Sequence, residues 1–332
     1  MPLVSSVSIR CSAVLALFLL APLAHAQAPA TPAATPTTTT APAAPAPAPP
    51  SQGIRNKLSA GDLPSAESIL EVYRDKNGED ASWLNGLAWL ARGALLLGDL
   101  PKAQAYATDV RARALKQLGT SRDIATAPDI ETPLGAAIEV EAQRLERTRG
   151  KRAAVDYLRG EIATFQGPTG FRSRLHKRLA MLTWVGAPAP EIVPERTLGE
   201  GAATLAALKG KPVVVFGFDK YCGDCKGQAA TLKRAFDKHR AAGVRMIALT
   251  RHYEQGDSLR AAEFAKVDSV WADVYAGLAD VPRVVSTASM IQYGVSSTPT
   301  FVFIDRQGIV RRYTPTRLTE AELDREMAAI AR

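Results

Sequence analysis

Cysteine and long apolar runs are both scarce in this chain of 332 residues. Its three cysteines are Cys11, Cys222 and Cys225. The longest apolar run, from residue 13 to residue 23, is shorter than the roughly 20 residues that a transmembrane helix needs. The shortage of apolar runs therefore argues against a membrane-spanning protein. The shortage of cysteine leaves Cys222 and Cys225 as an isolated pair, three positions apart.

The first 26 residues have the pattern of a secretory signal peptide. They carry one positive charge at Arg10, then the short apolar run, then the small-residue ending Ala24-His25-Ala26. We expect cleavage before Gln27, which removes Cys11, and export to the periplasm, where paired thiols find exchange partners. An uncleaved membrane anchor is the alternative.

A stretch of Ala, Pro and Thr follows from residue 27 to residue 52 and predicts a disordered, extended linker. The chain is basic, with a net charge of +8 and a pI of about 9.5. Because the basic residues are interleaved with acids and the chain carries an export signal, we expect a solvated surface and no nucleic-acid partner.

An internal repeat organises the region from 53 to 185. The segment Gly-Asp-Leu-Pro at 61 to 64 recurs at 98 to 101, each time between two helical patterns rich in Ala and Leu. This pattern predicts five to seven helices stacked as hairpins, and it partly resembles tetratricopeptide repeats. A concave face of such a domain could bind a protein partner; an all-helical packing domain without a ligand is the alternative.

Strand and helix patterns alternate from 186 to 332. Strands are predicted at 213 to 218, 244 to 250, 270 to 274 and 300 to 304, the last forming a hairpin with 309 to 313. Helices are predicted at 226 to 242, 258 to 266 and 284 to 293. A final helix follows the capping-box sequence that begins at Thr319.

This order, with Cys-x-x-Cys at the first strand-to-helix junction, resembles the thioredoxin fold. The opening of the region is similar to that of the TlpA/ResA-like exported thiol-disulfide oxidoreductases, with Pro188, Pro190 and the segment Lys-Gly-Lys-Pro at 209 to 212. The resemblance covers about the last 145 residues. It implies an α/β domain with a central mixed sheet flanked by helices, and an enzyme that needs no cofactor and no metal.

The predicted helix start assigns different roles to the two cysteines. Cys222 would face the free N–H groups of the first turn, which stabilise a thiolate, whereas Cys225 would lie one turn inside the helix. We therefore expect Cys222 to attack a client disulfide and Cys225 to resolve the mixed disulfide, with a Cys222–Cys225 disulfide as the oxidised form. The resemblance implies the same roles.

The resemblance also implies a substrate-docking site at Thr298 and Pro299, with a cis peptide bond between them. Tyr221 stands where the family typically has Trp and can still cover the site. Gly223 and Asp224 separate the cysteines, and the acid at Asp224 disfavours a nearby thiolate. We therefore expect a reducing couple rather than a strongly oxidising one.

Acids that relatives use as proton acceptors are missing, because Phe216 and Gln228 occupy their positions. Asp219 and Lys220 are local candidates, although we expect both to face solvent. A peroxiredoxin is excluded because Val215 and Asp219 occupy the Pro and Thr/Ser positions of its Pro-x-x-x-Thr/Ser-x-x-Cys motif.

Two other interpretations compete with redox exchange. Cys222 and Cys225 together with His252 could carry a copper or zinc ion. Alternatively, the chain could be a partner-binding scaffold with weak or no redox activity. We favour an exported oxidoreductase that acts on protein thiol and disulfide clients and is served by an upstream electron donor.

Overall fold

The computed structural model describes residues 48–253 and 256–332. The predicted signal peptide and positions 27 to 47 of the predicted linker lie outside the described residues. Chain contacts group Pro47–Arg332 into one compact unit. No helix within the described ranges is long and apolar enough to cross a membrane.

Helices alone make up the first part of this unit, and consecutive helices pack against each other as antiparallel neighbours do. The seven α-helices described there are α1 (Ser51–Ser59), α2 (Leu63–Asn77), α3 (Ala81–Leu97), α4 (Leu100–Leu118), α5 (Glu131–Arg149), α6 (Lys151–Thr164) and α7 (Thr169–Thr183). The predicted number of helices is confirmed, and the first begins at Ser51, within the predicted linker.

The repeated Gly-Asp-Leu-Pro segment starts α2 and α4. Asp62 accepts a hydrogen bond from the backbone N–H of Ser65, and Asp99 accepts one from that of Lys102. In each copy the proline occupies the first turn of the helix, where its missing N–H costs no hydrogen bond. The repeat is therefore a helix-start signal used twice, once in each of the first two helical hairpins.

A six-stranded mixed sheet forms the second part. Its strands are β1 (Arg196–Leu198), β2 (Val213–Gly217), β3 (Arg245–Thr250), β4 (Arg283–Val285), β5 (Thr300–Ile304) and β6 (Val310–Thr314). Their spatial order is β1-β4-β3-β2-β5-β6. Strands β2, β3 and β4 run parallel, whereas β1, β5 and β6 pair antiparallel with their neighbours.

Four further α-helices accompany the sheet: α8 (Gly223–Arg240), α9 (Asp257–Val274), α10 (Thr287–Gln292) and α11 (Glu320–Ala331). Helix α11 begins with the predicted capping box at Thr319. Together with the strand order, these helices confirm the thioredoxin-like α/β fold predicted for this part.

Two sequence predictions in this part are wrong. Residues 270 to 274 belong to α9 and not to a strand, because Val267, Val270, Trp271 and Val274 follow the i, i+3, i+4, i+7 spacing of a helix. The helix predicted at 284 to 293 is divided: residues up to Val285 form β4, and α10 begins only after Ser286, which caps it.

The two faces of the sheet are covered differently. One face packs against α8, α9 and α11. The other face packs against α10 and also against Ala180 of α7 and the following Trp184. Trp184 meets Tyr293 and Tyr313 edge to face, with ring centroids 5.1 and 5.6 Å apart. The last helix of the helical part is therefore built into the core of the sheet.

Candidate functional site

The cysteine pair lies at the start of α8, directly after strand β2. All five residues of β2 are buried, and the chain leaves the sheet to place Cys222 at the N-cap of the helix. There the Cys222 Sγ atom accepts a hydrogen bond from the backbone N–H of Cys225, at 3.0 Å. A helix N-terminus favours negative charge, so this position stabilises sulfur as a thiolate.

The two cysteines form a disulfide, with Cα atoms 5.2 Å apart. Cys225 is fully buried, whereas Cys222 is partly exposed. Thiol–disulfide exchange requires the attacking thiolate to reach a sulfur of the other molecule. Access to the two sulfurs therefore differs, because another molecule can contact Cys222 from outside but not Cys225.

The loop before β5 meets the pair from the opposite side. The Thr298–Pro299 peptide bond is cis, as the resemblance predicts. The Thr298 carbonyl oxygen lies 3.3 Å from the Cys222 Sγ atom, although the two residues are 76 positions apart in the chain. The loop that carries the cis bond therefore lies directly beside the Cys222 sulfur.

Tyr221 stands at the rim of the site and leaves 61% of its surface exposed. Its backbone N–H donates to the Asp219 carboxylate at 2.7 Å, and the Asp219 carbonyl accepts from the Cys222 N–H at 3.0 Å. Asp219 therefore shapes the turn that leads into the pair. Gly223 is also exposed.

The expectation that Lys220 faces solvent is wrong. Its side chain is 1% exposed and forms an ion pair with Glu263 of α9, which is 2% exposed. The Lys220 ammonium also lies over the rings of Tyr221 and Tyr253, at 4.7 and 4.6 Å from their centroids. A buried charge needs such partners, so Lys220 holds Tyr221 and Tyr253 together at the rim.

His252, which the sequence offered as a third metal ligand beside the cysteines, and Glu195, which the sequence did not connect with this region, extend the charged cluster. The His252 Nδ1 atom lies 3.4 Å from Glu263, and its Nε2 atom lies 3.7 Å from Glu195. Burial is the main cause of the raised pKa of the neighbouring Tyr253, and the negative charge of Asp219 adds to it. In the described part of the chain, no three His, Cys, Asp or Glu side chains are grouped as metal ligands.

The two positions that lack an acid have structural roles. Phe216 stacks on Phe218 and Phe301 in the core beneath the pair, with centroids 5.8 and 5.1 Å away. The buried Gln228 amide donates to the Leu318 carbonyl and accepts from the Leu318 N–H, at 2.8 and 2.9 Å. A glutamate would lose the donated bond, which explains an amide at this position.

The loop that carries Thr298 rests on α7. Gly294 has a φ of +60°, and a Cβ there would lie 2.4 Å from the backbone of Lys177. The Tyr313 hydroxyl donates to the carbonyls of Tyr293 and Gly294, at 3.1 Å each. Since only glycine permits this close approach, the helical part directly positions the loop that faces Cys222.

The charge of Asp224 is partly balanced. Its carboxylate is exposed and lies 3.5 Å from the Arg317 guanidinium. We expect Asp224→Asn to raise the reduction potential of the cysteine pair by about 5 to 20 mV, because removing the acid favours a thiolate on Cys222. We expect Arg317→Gln to lower the potential by a similar amount, because it removes the cation that balances Asp224. Equilibration with glutathione measures both shifts, and equal signs in the two variants would contradict this electrostatic account.

Comparisons with known proteins find one family match and several similar solved structures. Residues 185–313 match the AhpC/TSA family. No curated protein matches the sequence. Among solved structures, a thiol:disulfide interchange protein of the thioredoxin family from Chlorobium tepidum is 18% identical, with 45% of this chain and 97% of that chain covered and a TM-score of 0.34.

Two further solved structures match a similar share of this chain. The thioredoxin domain of a thiol-disulfide oxidoreductase from Bacteroides vulgatus is 14% identical, covering 45% of this chain and 98% of that chain with a TM-score of 0.36. StoA from Bacillus subtilis is 15% identical, covering 42% of this chain and 98% of that chain with a TM-score of 0.32. The segment from residue 185 to residue 313 is therefore similar to the AhpC/TSA family, within a part of the chain that has a thioredoxin-like fold.

Proposed function

We propose that this protein is an exported thiol-disulfide oxidoreductase that reduces protein disulfides. Cys222 attacks the client, Cys225 resolves the intermediate, and Thr298 and Pro299 dock the client backbone. One observation supports this assignment above the others: the partly exposed Cys222 Sγ lies 3.3 Å from the Thr298 carbonyl, while Cys225 is fully buried.

The reaction consists of two exchanges. The Cys222 thiolate attacks one sulfur of a client disulfide, forming a mixed disulfide and releasing the other client sulfur as a thiolate, which takes up a proton. Cys225 then loses its proton and attacks the Cys222 sulfur. This step releases the second client thiol and forms the Cys222–Cys225 disulfide. Two electrons pass to the client, and an upstream dithiol donor restores the reduced pair.

Peptide disulfides suit this site better than peroxides. The residues Val215 and Asp219 occupy the positions where a peroxidatic site needs Pro and Thr or Ser. The rim formed by Tyr221 is exposed and can contact an extended peptide. Gly223 has open space around its Cα and leaves room for the client beside Cys222.

Location and domain roles complete the proposal. We propose cleavage of residues 1 to 26, a spacer from 27 to 52, a helical domain from 53 to 185 and a thioredoxin-like domain from 186 to 332, acting in the periplasm. The helical domain, with its tetratricopeptide-like hairpins, selects a protein partner. Support for a role in selection comes from Lys177, whose backbone lies against the Thr298 loop.

An insulin-reduction assay, together with a measured reduction potential, tests the proposed function. We expect the protein to accelerate insulin reduction by dithiothreitol, and its potential to lie well below the roughly −120 mV of strongly oxidising periplasmic enzymes. The acid inside the pair, which Arg317 offsets only across an exposed 3.5 Å contact, adds a small shift in this direction. A Cys222→Ser/Cys225→Ser variant is the control. Full activity in that control, or a potential near −120 mV, would contradict the proposal.

A further inference from the structure

A polar cavity of about 360 Å³ lies where the helical part meets the Thr298 loop. Its walls come from α3, α5 and α7, and on the other side from Ser296, two residues before Thr298. The lining residues are Arg92, Glu131, Thr132, Glu139, Gly170, Phe171, Arg174, Lys177 and Ser296.

Positive charge exceeds negative charge in this cavity. Three of its lining side chains are cationic and two are acidic, which leaves a net charge of +1. The cations surround Glu139: Arg174 Nε lies 2.7 Å, Lys177 Nζ 3.4 Å and Arg92 Nη2 3.8 Å from its carboxylate. Glu139 and Glu131 together leave one of the three positive charges unbalanced among the lining side chains.

Partial burial increases the effect of this surplus. The side chains of Arg92, Arg174 and Lys177 are 24%, 16% and 20% exposed, so water screens them less than it screens free surface cations. Lys177 has three N–H donors, and its contact with Glu139 is long at 3.4 Å. A second carboxylate could therefore bind here with charge-assisted hydrogen bonds.

The cavity has a fixed position relative to the docking site. Gly294 packs against the backbone of Lys177, so the loop that leads through Ser296 to Thr298 cannot move away from α7 without breaking this contact. An extended client advances about 3.3 Å per residue. A client side chain two to four positions from the reacting cysteine lies roughly 7 to 13 Å along the peptide, and Ser296, which lines the cavity, is only two residues from Thr298.

We propose that this cavity binds an acidic side chain of the client polypeptide while its disulfide is at Cys222. This inference rests on the proposed function, and it adds a specificity site shared by the two parts of the chain. The preferred client carries Asp or Glu two to four residues from its reactive cysteine.

Paired disulfide peptides test the inference. The two peptides differ only in Glu or Gln at a chosen position near the cysteine, and kcat/KM is measured for each with the full chain. We expect kcat/KM for the Glu peptide to exceed that for the Gln peptide about three- to tenfold at low salt, and this ratio to fall as salt is added. We expect Lys177→Gln to reduce the ratio at least twofold. Arg92→Gln provides a second variant with the same expectation.

Lys151→Gln serves as the matched control, because Lys151 is exposed at the start of α6, outside the cavity. For this control, the ratio of kcat/KM between the Glu and Gln peptides should equal that of the unaltered chain. Equal kcat/KM values for the Glu and Gln peptides at every position tested would overturn the inference but leave the proposed function intact. A preference that survives both Lys177→Gln and Arg92→Gln would also overturn it. Failure to reduce either peptide would overturn the proposed function itself, and this inference with it.

Discussion

Cys222→Ser lowers the rate of insulin reduction by more than about a thousandfold, because the first exchange loses its nucleophile. The buried Cys225 cannot replace it, since it is 0% exposed and its side chain is packed in the core under the first turn of α8. Turbidity of reduced insulin measures the rate.

Cys225→Ser also stops turnover but for a different reason. Its Cys222 still attacks, and the mixed disulfide then persists because no neighbouring thiol releases it. We therefore expect Cys225→Ser to release one client thiol rapidly and then stop, whereas Cys222→Ser should release none. Steady turnover by Cys222→Ser at more than a few per cent of the original rate would contradict the assignment of roles.

Lys220→Met lowers the free energy of unfolding by about 3 to 5 kcal/mol, because it breaks a buried ion pair by removing the cation. The Lys220 and Glu263 side chains are 1% and 2% exposed. Urea denaturation followed by circular dichroism measures the loss. The same change should increase the mobility of Tyr221, whose ring lies 4.7 Å from the Lys220 ammonium.

Lys209→Met is the control for this prediction, because Lys209 is exposed in the loop before β2. Its unfolding free energy should stay within about 0.5 kcal/mol of the original. The double variant Lys220→Met/Glu263→Leu should recover part of the lost stability, since it removes both charges. A Lys220→Met protein as stable as the Lys209→Met control would show that the pair is not buried as described.

Features encoded by local sequence were predictable. The buried run that forms β2, the cysteines at the start of α8 and the capping box of α11 depend on residues close together in the chain. The repeated Gly-Asp-Leu-Pro segment likewise acts within a single helical turn. The position of Thr298 opposite Cys222 was predictable only through resemblance, because the two are 76 residues apart.

Features that depend on distant partners were missed. Lys220 looks like a surface residue until it is paired with Glu263, which lies 43 positions later in α9. The apolar residues at 270 to 274 suit a strand or a helix, and packing of Trp271 against Phe218 at 5.3 Å between ring centroids favours the helix. The sequence likewise gives no sign that Gly294 lies against Lys177, because a glycine after a helix usually serves only to end it.

The most direct test of the central claim is to identify the sulfur that carries a trapped client. Cys225→Ser is incubated with a disulfide-bonded client, quenched with an alkylating agent and analysed by non-reducing electrophoresis and peptide mass spectrometry. The account predicts a mixed disulfide at Cys222 in this variant and no adduct in Cys222→Ser. A client joined to Cys225 in Cys222→Ser, or no adduct in Cys225→Ser, would contradict it.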